Sequence, residues 1–199
     1  NKAIRKITPA AVVTTLSLRT ASGAGFALNS PNAVAVDGSG NLYVADAGLN
    51  IICKVVPSGI TTVLAGTLGV AGSDDGTGSA VRFTNPSGLA VDGAGTVYVA
   101  DTNNNTIRRI SSSGVVTTFA GSAGTSLRMS AGSSDGVGAN ARFNVPIGLA
   151  CDPAGNVYVA DRGNHSVRKI TPTGVVSTIA GLSGSSGSVD GTGNVARFR

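Results

Sequence analysis

The chain contains 199 residues with a formal net charge of +5, and 41% of its residues are hydrophobic. This apolar fraction is sufficient for a packed core and argues against an intrinsically disordered chain. Glycine is abundant, all ten acidic residues are Asp, and Glu, Gln and Trp are absent, which favours strands and turns over helices. No apolar run is long enough for a membrane-spanning helix.

Residues 1–18 match only the second half of a unit that later occurs in full. Lys6 aligns with a Lys or Arg in every unit, and residues 12–16 align with residues 115–119. We therefore expect residues 1–18 to form the last two strands of a repeat, followed by a short linker at 19–30. Complete units occupy 31–66, 86–121 and 146–181.

Each complete unit contains four short strand patterns separated by turn residues. In the second unit the predicted strands are 88–91, 97–100, 106–110 and 115–120. Four antiparallel strands with such short connections predict one blade of a β-propeller. The expected fold class is all-β, a propeller segment of about three complete four-stranded antiparallel blades and an N-terminal half blade. The ring is expected to be incomplete, because closed propellers have about four to eight blades.

The linkers between units are rich in Gly and Ser, and each carries a fixed pattern that we call the linker motif. Asp75 is followed seven residues later by Arg82 and then by Phe83. We expect the arginine to pair with the aspartate and the phenylalanine to pack between blades. Alternatively, the arginines present donors to an anionic ligand. The motif recurs at Asp135, Arg142 and Phe143, and at Asp190, Arg197 and Phe198 within the final linker, 182–199.

Two runs resemble NHL repeats: NPSGLAVDGAGTVYVADTNNNTIRRI at 85–110 and NVPIGLACDPAGNVYVADRGNHSVRKI at 144–170. The pair Asn164-His165 matches the Asn-His that gives the family its name. The resemblance implies a β-propeller. NHL propellers include RNA-binding regulators, extracellular sensor domains, cell-surface adhesion proteins and a copper/zinc lyase acting on peptides. The resemblance therefore implies a fold and no single function.

The loops between the second and third strands are predicted to lie on the same face as the linkers, because antiparallel strands alternate in direction. We call this the loop face. Its loop residues differ between units, so we expect it to bind a partner. The predicted binding residues are Thr102, Asn103, Asn104, Arg162, Asn164 and His165, together with Arg108 and Arg168 of the third strands.

Residues that recur in every unit are predicted to be structural. The repeated aspartate at the end of the second strand favours an Asx-type turn, in which its carboxylate accepts backbone N–H groups. Alternatively, these aspartates form a ring that binds cations, although no Asp-x-Asp-x-Asp-Gly loop is present. The structural set is Asp46, Asp101 and Asp161 with the linker arginines Arg82, Arg142 and Arg197.

The sequence predicts no catalytic residue, metal site or cofactor. His165 is the one histidine, and a metallo-lyase needs several imidazole ligands. Cys53 and Cys151 stand at non-equivalent repeat positions without metal-binding spacing, so we predict free, buried thiols rather than a disulfide. Asn104 and Asn164 begin N-glycosylation sequons.

The predicted function is that of a non-enzymatic protein-interaction, scaffold or structural assembly module of an extracellular or cell-surface protein. Its expected partners are another protein or further copies or blades of the same chain. One alternative is binding of a polyanion such as RNA or acidic glycan, which the positive charge favours. Eight aromatic residues provide few stacking platforms for nucleic-acid bases. A further alternative is a non-catalytic part of a larger enzyme.

Overall fold

The computed structural model describes residues 1–123 and 130–199, and 45% of the chain is strand and 7% helix. The predicted all-β propeller segment is confirmed. Residues 124–129 of the second predicted linker lie outside the described residues. None of the helices in the described ranges is long and apolar enough to cross a membrane.

The described chain begins with a two-stranded hairpin and continues into three larger antiparallel sheets. The hairpin pairs β1 (Arg5–Ile7) with β2 (Val13–Thr15). The first blade contains β3 (Pro31–Val36), β4 (Leu42–Asp46), β5 (Ile51–Val55) and β6 (Thr61–Ala65). The second contains β7 (Gly76–Thr77), β8 (Pro86–Val91), β9 (Val97–Asp101), β10 (Thr106–Ile110) and β11 (Val115–Ala120). The third contains β12 (Gly136–Val137), β13 (Pro146–Cys151), β14 (Val157–Asp161), β15 (Ser166–Ile170) and β16 (Val175–Gly181).

Strands β7 and β12 are a feature that the sequence reasoning missed. Each is two residues long, lies in the linker before a blade and pairs antiparallel with the last strand of that blade. In the first blade Arg19 lies beside the last strand as well, but it pairs with Ile60 in an isolated parallel bridge. The preceding linker thus covers part of the outermost strand, which reduces the exposed edge of each blade.

The core lies between neighbouring blades. Phe83 is fully buried among residues of the first blade, such as Ile52, and of the second, such as Val99. Phe143 lies in the equivalent cluster between the second and third blades. The innermost strands of the three blades are β3, β8 and β13. Those of neighbouring blades also approach closely, since a Cβ at Gly88 in β8 would overlap the carbonyl oxygen of Ile147 in β13.

Both cysteine thiols are free, and Cys53 is buried whereas Cys151 is half-buried. Cys53 packs with Leu28 and Val44 in an apolar cluster at the N-terminal side of the first blade. Burial raises the pKa of the Cys53 thiol to about 12, so this side chain behaves as a small apolar group.

Candidate functional site

The most highly charged part of the second blade is an internal network around Arg108. The Arg108 side chain is fully buried, and its guanidinium contacts Asp101 at 2.9 Å and Asp75 at 2.7 Å. It also donates to the carbonyl oxygens of Asp74 and Arg82. Arg108 therefore joins its own blade to the preceding linker.

The third blade repeats this network with Arg168 as its centre. Arg168 contacts Asp161 and Asp135, each at 2.8 Å, and donates to the carbonyl oxygens of Ser134 and Arg142. Because the same geometry occurs twice, it is part of the construction of a blade.

Asp101 is buried together with its counterion. Its carboxylate accepts hydrogen bonds from the Thr84 backbone N–H, the Asn104 amide and Arg108. Burial raises the pKa of Asp101 to about 6 even though these donors oppose the shift. Burial likewise raises the pKa of Asp161. Both carboxylates are fully buried and bonded to internal partners, which does not favour the alternative of a cation-binding ring.

The first blade shows what happens where the arginine is absent. Cys53 replaces it, and Asp46 accepts three backbone N–H groups instead, from Asn29, Ser30 and Leu49. The linker before this blade also lacks the aspartate of the linker motif. The buried arginine and the linker aspartate are thus present together or absent together.

The predicted pairing of Arg82 with Asp75 is wrong, because Arg108 occupies the Asp75 carboxylate. Arg82 instead donates to the carbonyl oxygens of Ser79 and Val81. The other two linker arginines bind backbone carbonyls in the same way: Arg142 those of Ala139 and Ala141, and Arg197 those of Asn194, Val195 and Ala196. They shape the linker turn and do not pair with Asp135 or Asp190.

The prediction that Arg108 and Arg168 contact a ligand is also wrong, because both side chains are fully buried. On each third strand the next residue, Arg109 or Lys169, points to the other side of the sheet and lies over an aromatic ring. Arg108 and Arg168 are therefore not available to bind a polyanion, and on these strands that hypothesis depends on the more exposed Arg109 and Lys169.

The loops of the loop face contact the linkers directly, as the strand directions require. Asn104 donates to the Gly72 carbonyl and to Asp101, and Asn164 donates to the Gly132 carbonyl and to Asp161. These amide nitrogens are the atoms that a sequon glycan would modify. In the folded chain each of these nitrogens is held in two hydrogen bonds, so a glycan on Asn104 or Asn164 would have to replace at least one of them.

The loop ends at a residue in the left-handed conformation, which is Asn105 in the second blade (φ 54°) and His165 in the third (φ 52°). The Asn105 side-chain oxygen accepts the Val145 backbone N–H of the next blade, as Asn50 does from Asn85. His165 thus occupies the repeat position at which Asn50 and Asn105 accept a hydrogen bond from the next blade.

A variable set of residues lies at the inner end of the same loops. The Thr102 hydroxyl donates to the carbonyl of Pro146, the first residue of the next innermost strand. The position after the repeated aspartate therefore lies beside the starts of the innermost strands. We call two sets of residues the inner rim. The first set follows the repeated aspartate (Ala47, Thr102 and Arg162), and the second set occupies the second position of the innermost strands (Asn32, Ser87 and Ile147).

The structure divides the predicted binding residues into two groups. Thr102 and Asn164 are buried, and Asn104 is tied to a linker. Arg162 is exposed, while Asn103 and His165 are half-buried. Within residues 1–123 and 130–199, no three His, Cys or Asp side chains converge as a metal ion would require.

The opposite face carries tight turns that are stabilised by a repeated aspartate. Asp152 accepts from the Asn156 backbone and side chain and from the Tyr158 hydroxyl. These hydrogen bonds, led by that of the Asn156 side chain, hold the pKa of Asp152 below its ordinary value. Asp37 has the equivalent partners Asn41 and Tyr43.

The substitution Asn156→Ala is expected to raise the pKa of Asp152 toward its ordinary value, because the largest contribution to the lowered pKa is lost. Since the folded-state pKa is below the unfolded one, this turn contributes stability above about pH 4 that is lost as the pH falls through the folded pKa. Titration of the carboxyl carbons by NMR measures the shift. The pKa of Asp37 is the internal control and should not move; an unchanged Asp152 would contradict the assignment.

Comparison with known proteins places this architecture in a family. The sequence model of the NHL repeat matches residues 83–110 and 143–170. The chain is 36% identical over 111 residues to NHL repeat-containing protein 2 of Bos taurus, which covers 52% of this chain and 15% of the relative. The chain thus spans only a small part of that relative's length.

Solved structures share the fold at lower identity. A Bacteroides thetaiotaomicron protein of unknown function has a TM-score of 0.71 at 24% identity and covers 85% of this chain and 42% of that chain. Virginiamycin B lyase from Staphylococcus aureus has a TM-score of 0.55 at 14% identity, covering 89% and 48%. Since a lyase has this fold, the fold alone does not decide between binding and catalysis. The two repeat matches and the similarity to NHL repeat-containing proteins show that this chain contains NHL repeats.

Proposed function

We propose that this chain is a non-enzymatic protein-interaction or scaffold module of an extracellular or cell-surface protein, and that it binds its partner through the inner rim. One observation carries the proposal: the same inner-rim position holds Ala47, Thr102 and Arg162 in successive blades. The position holds a half-buried methyl group in the first blade, a hydroxyl buried against the next blade in the second and an exposed guanidinium in the third. A repeated scaffold thus leaves Arg162 free for recognition while the fold is kept.

The backbone that carries these residues is nearly constant. Asp101 and Asp161 have the same φ of −86°, with ψ values of 75° and 76°. The loop that follows forms one 3-10 turn in the second and third blades, at Thr102–Asn104 and at Arg162–Asn164. The difference in chemistry between Thr102 and Arg162 therefore comes from sequence and not from a change of loop shape.

The inner rim combines an exposed cation with an exposed aliphatic group. Arg162 is exposed, and Ile147 is 36% exposed at the start of the third innermost strand. An arginine beside an apolar side chain is suited to a protein partner that offers a carboxylate and an apolar contact. The Gly- and Ser-rich linkers, which resemble those of extracellular repeat proteins, support the proposed location.

A photocrosslinking residue at position 147 is expected to capture a discrete protein from the source cells or their medium, whereas one at Ala154 on the opposite face is not. The double variant Ile147→Asp and Arg162→Glu should weaken binding of the captured protein by about tenfold or more. The first change replaces an apolar side chain with a charged one, and the second reverses the charge. Equal capture from positions 147 and 154, or unchanged binding by the double variant, would contradict the proposal.

A further inference from the structure

Val145, between the second and third blades, has a backbone conformation that valine rarely adopts. Its φ is 53°, in the left-handed region that favours Gly, Asn and Asp. Of the described residues with positive φ, it is the one that is β-branched. Pro146 follows it, and a following proline favours extended backbone angles. Both its side chain and its neighbour therefore oppose the conformation that Val145 has.

Contacts on both sides of Val145 impose this conformation. Its N–H donates to the Asn105 side-chain oxygen of the second blade at 2.8 Å, and the Asn144 N–H donates to Asp161 at 2.8 Å. Pro146 is paired with Asp161 in the register of β13 and β14. The surrounding blades thus fix the path of the chain, so the left-handed residue is required whichever side chain it carries.

The second blade makes the same turn with a residue that suits it. Asn85 has a φ of 56°, and its N–H donates to the Asn50 side-chain oxygen at 2.9 Å. The Asn85 amide also donates to the Asn103 side-chain oxygen at 3.3 Å. Asparagine tolerates the left-handed region, because its short polar side chain can form local hydrogen bonds. The second blade therefore has a polar pair at this point of the loop face.

The third blade replaces both members of the polar pair. Val145 occupies the repeat position of Asn85, and Gly163 that of Asn103. The Gly163 N–H donates to the Asn144 carbonyl at 2.8 Å, and a Cβ on Gly163 would lie 2.5 Å from the Asn144 side chain. Val145 is half-buried and so keeps part of its side chain in contact with solvent. We call Val145 and Gly163 the apolar notch.

The apolar notch adjoins a cation and a second aliphatic side chain. Arg162 precedes Gly163, is exposed and forms no ion pair with any described residue. Ile147, two residues after Val145, is exposed as well. Asparagine would suit the turn better, as the second blade shows, so the valine lowers stability here. Residues held in such unfavourable conformations are concentrated at functional sites.

We infer that Val145 is the apolar anchor of the partner-binding surface. The partner is a protein segment that places an aliphatic side chain on the apolar notch and a carboxylate beside Arg162. Gly163 leaves room for the aliphatic group, and the arginine supplies the complementary charge. This inference names the chemistry of the partner and rests on the proposed function. The same valine thus lowers the stability of the fold and strengthens binding.

Val145→Asn is expected to raise the melting temperature by about 2–4 °C, because asparagine suits the left-handed turn. The same variant should weaken binding of the protein captured at position 147 by about tenfold, since the apolar contact is lost. Asn85→Val is the reciprocal control. It places valine in the equivalent turn and removes the hydrogen bond to Asn103, so its melting temperature should fall, while its binding should stay within about twofold.

Val145→Thr separates stability from binding. Threonine is also β-branched and has nearly the same shape, so the melting temperature should stay within about 1–2 °C. Its hydroxyl replaces a methyl group, so binding should weaken by about fivefold. An unchanged or lower melting temperature for Val145→Asn, or full binding by Val145→Thr, would overturn the inference. Without capture at position 147 the proposed function and this inference both fail, whereas capture that is insensitive to both Val145 variants removes the inference alone.

Discussion

Replacing Arg108 with methionine is expected to lower the free energy of unfolding by about 3–5 kcal/mol, because it leaves Asp101 buried without its counterion. Methionine retains an apolar stem over Phe83, so the loss reports on charge and hydrogen bonding more than on packing. Asp75 would keep its contacts with Thr118 but lose the arginine that links it to the blade core. Urea denaturation followed by circular dichroism measures the change.

The loss should depend on pH. Burial already raises the pKa of Asp101 to about 6, and removing the lowering influence of Arg108 raises it further. Because the folded-state pKa lies above the unfolded one, stability falls as the pH rises through the interval between them. The variant should thus be more strongly destabilised at about pH 8 than at about pH 5, where Asp101 can carry a proton.

Arg109→Met is the control for this experiment. Arg109 is the next residue of the same strand and is exposed, so its replacement should cost less than about 1 kcal/mol. Equal losses for the two variants, or a loss for Arg108→Met that does not change with pH, would contradict the role assigned to the buried pair.

Replacing Phe143 with alanine is expected to cost about 3–5 kcal/mol, since it opens a cavity between the second and third blades. The Phe143 side chain is 0% exposed and belongs to a cluster that both blades supply. In a repeat array, stability depends on such nearest-neighbour interfaces. Denaturation of the variant should therefore show reduced cooperativity, seen as a broader transition or as two transitions.

Phe198→Ala provides a control at the same repeat position. Phe198 is 39% exposed, so less apolar area is lost and the cost should be about 1 kcal/mol or less. If both variants lost the same stability, the phenylalanines would act through their local linker turns and not through the interface between blades.

The repeat pattern was sufficient to predict the blades because each strand is short, apolar and bounded by Gly or Asp turns. The third and fourth strands of the second unit were predicted at the residues where β10 and β11 occur. Strands β7 and β12 could not be found in this way. They are Gly-containing pairs of residues whose strand character comes from their partner and not from their own propensity.

The arginine network shows why side-chain partners were harder to predict. Arg82 is near Asp75 in sequence, so local pairing was the natural expectation. The actual partner, Arg108, is 33 residues from Asp75 and reaches it only because the linker folds onto the next blade. The sequence did contain a signal, since the first blade lacks both the strand arginine and the linker aspartate.

The linker strands have a consequence for the order in which the chain folds during synthesis. Asp75 meets Thr118 across 43 residues, and β7 can pair only after the whole second blade has followed it. The Gly78 carbonyl also accepts the N–H of Gly66, at the end of the first blade. Each linker can therefore complete its pairing only after the following blade has been synthesised, and it then connects that blade to the previous one. Because non-local contacts form slowly, we expect the pairing of the linker strand with the last strand of its blade to be the slowest step in forming a nascent blade.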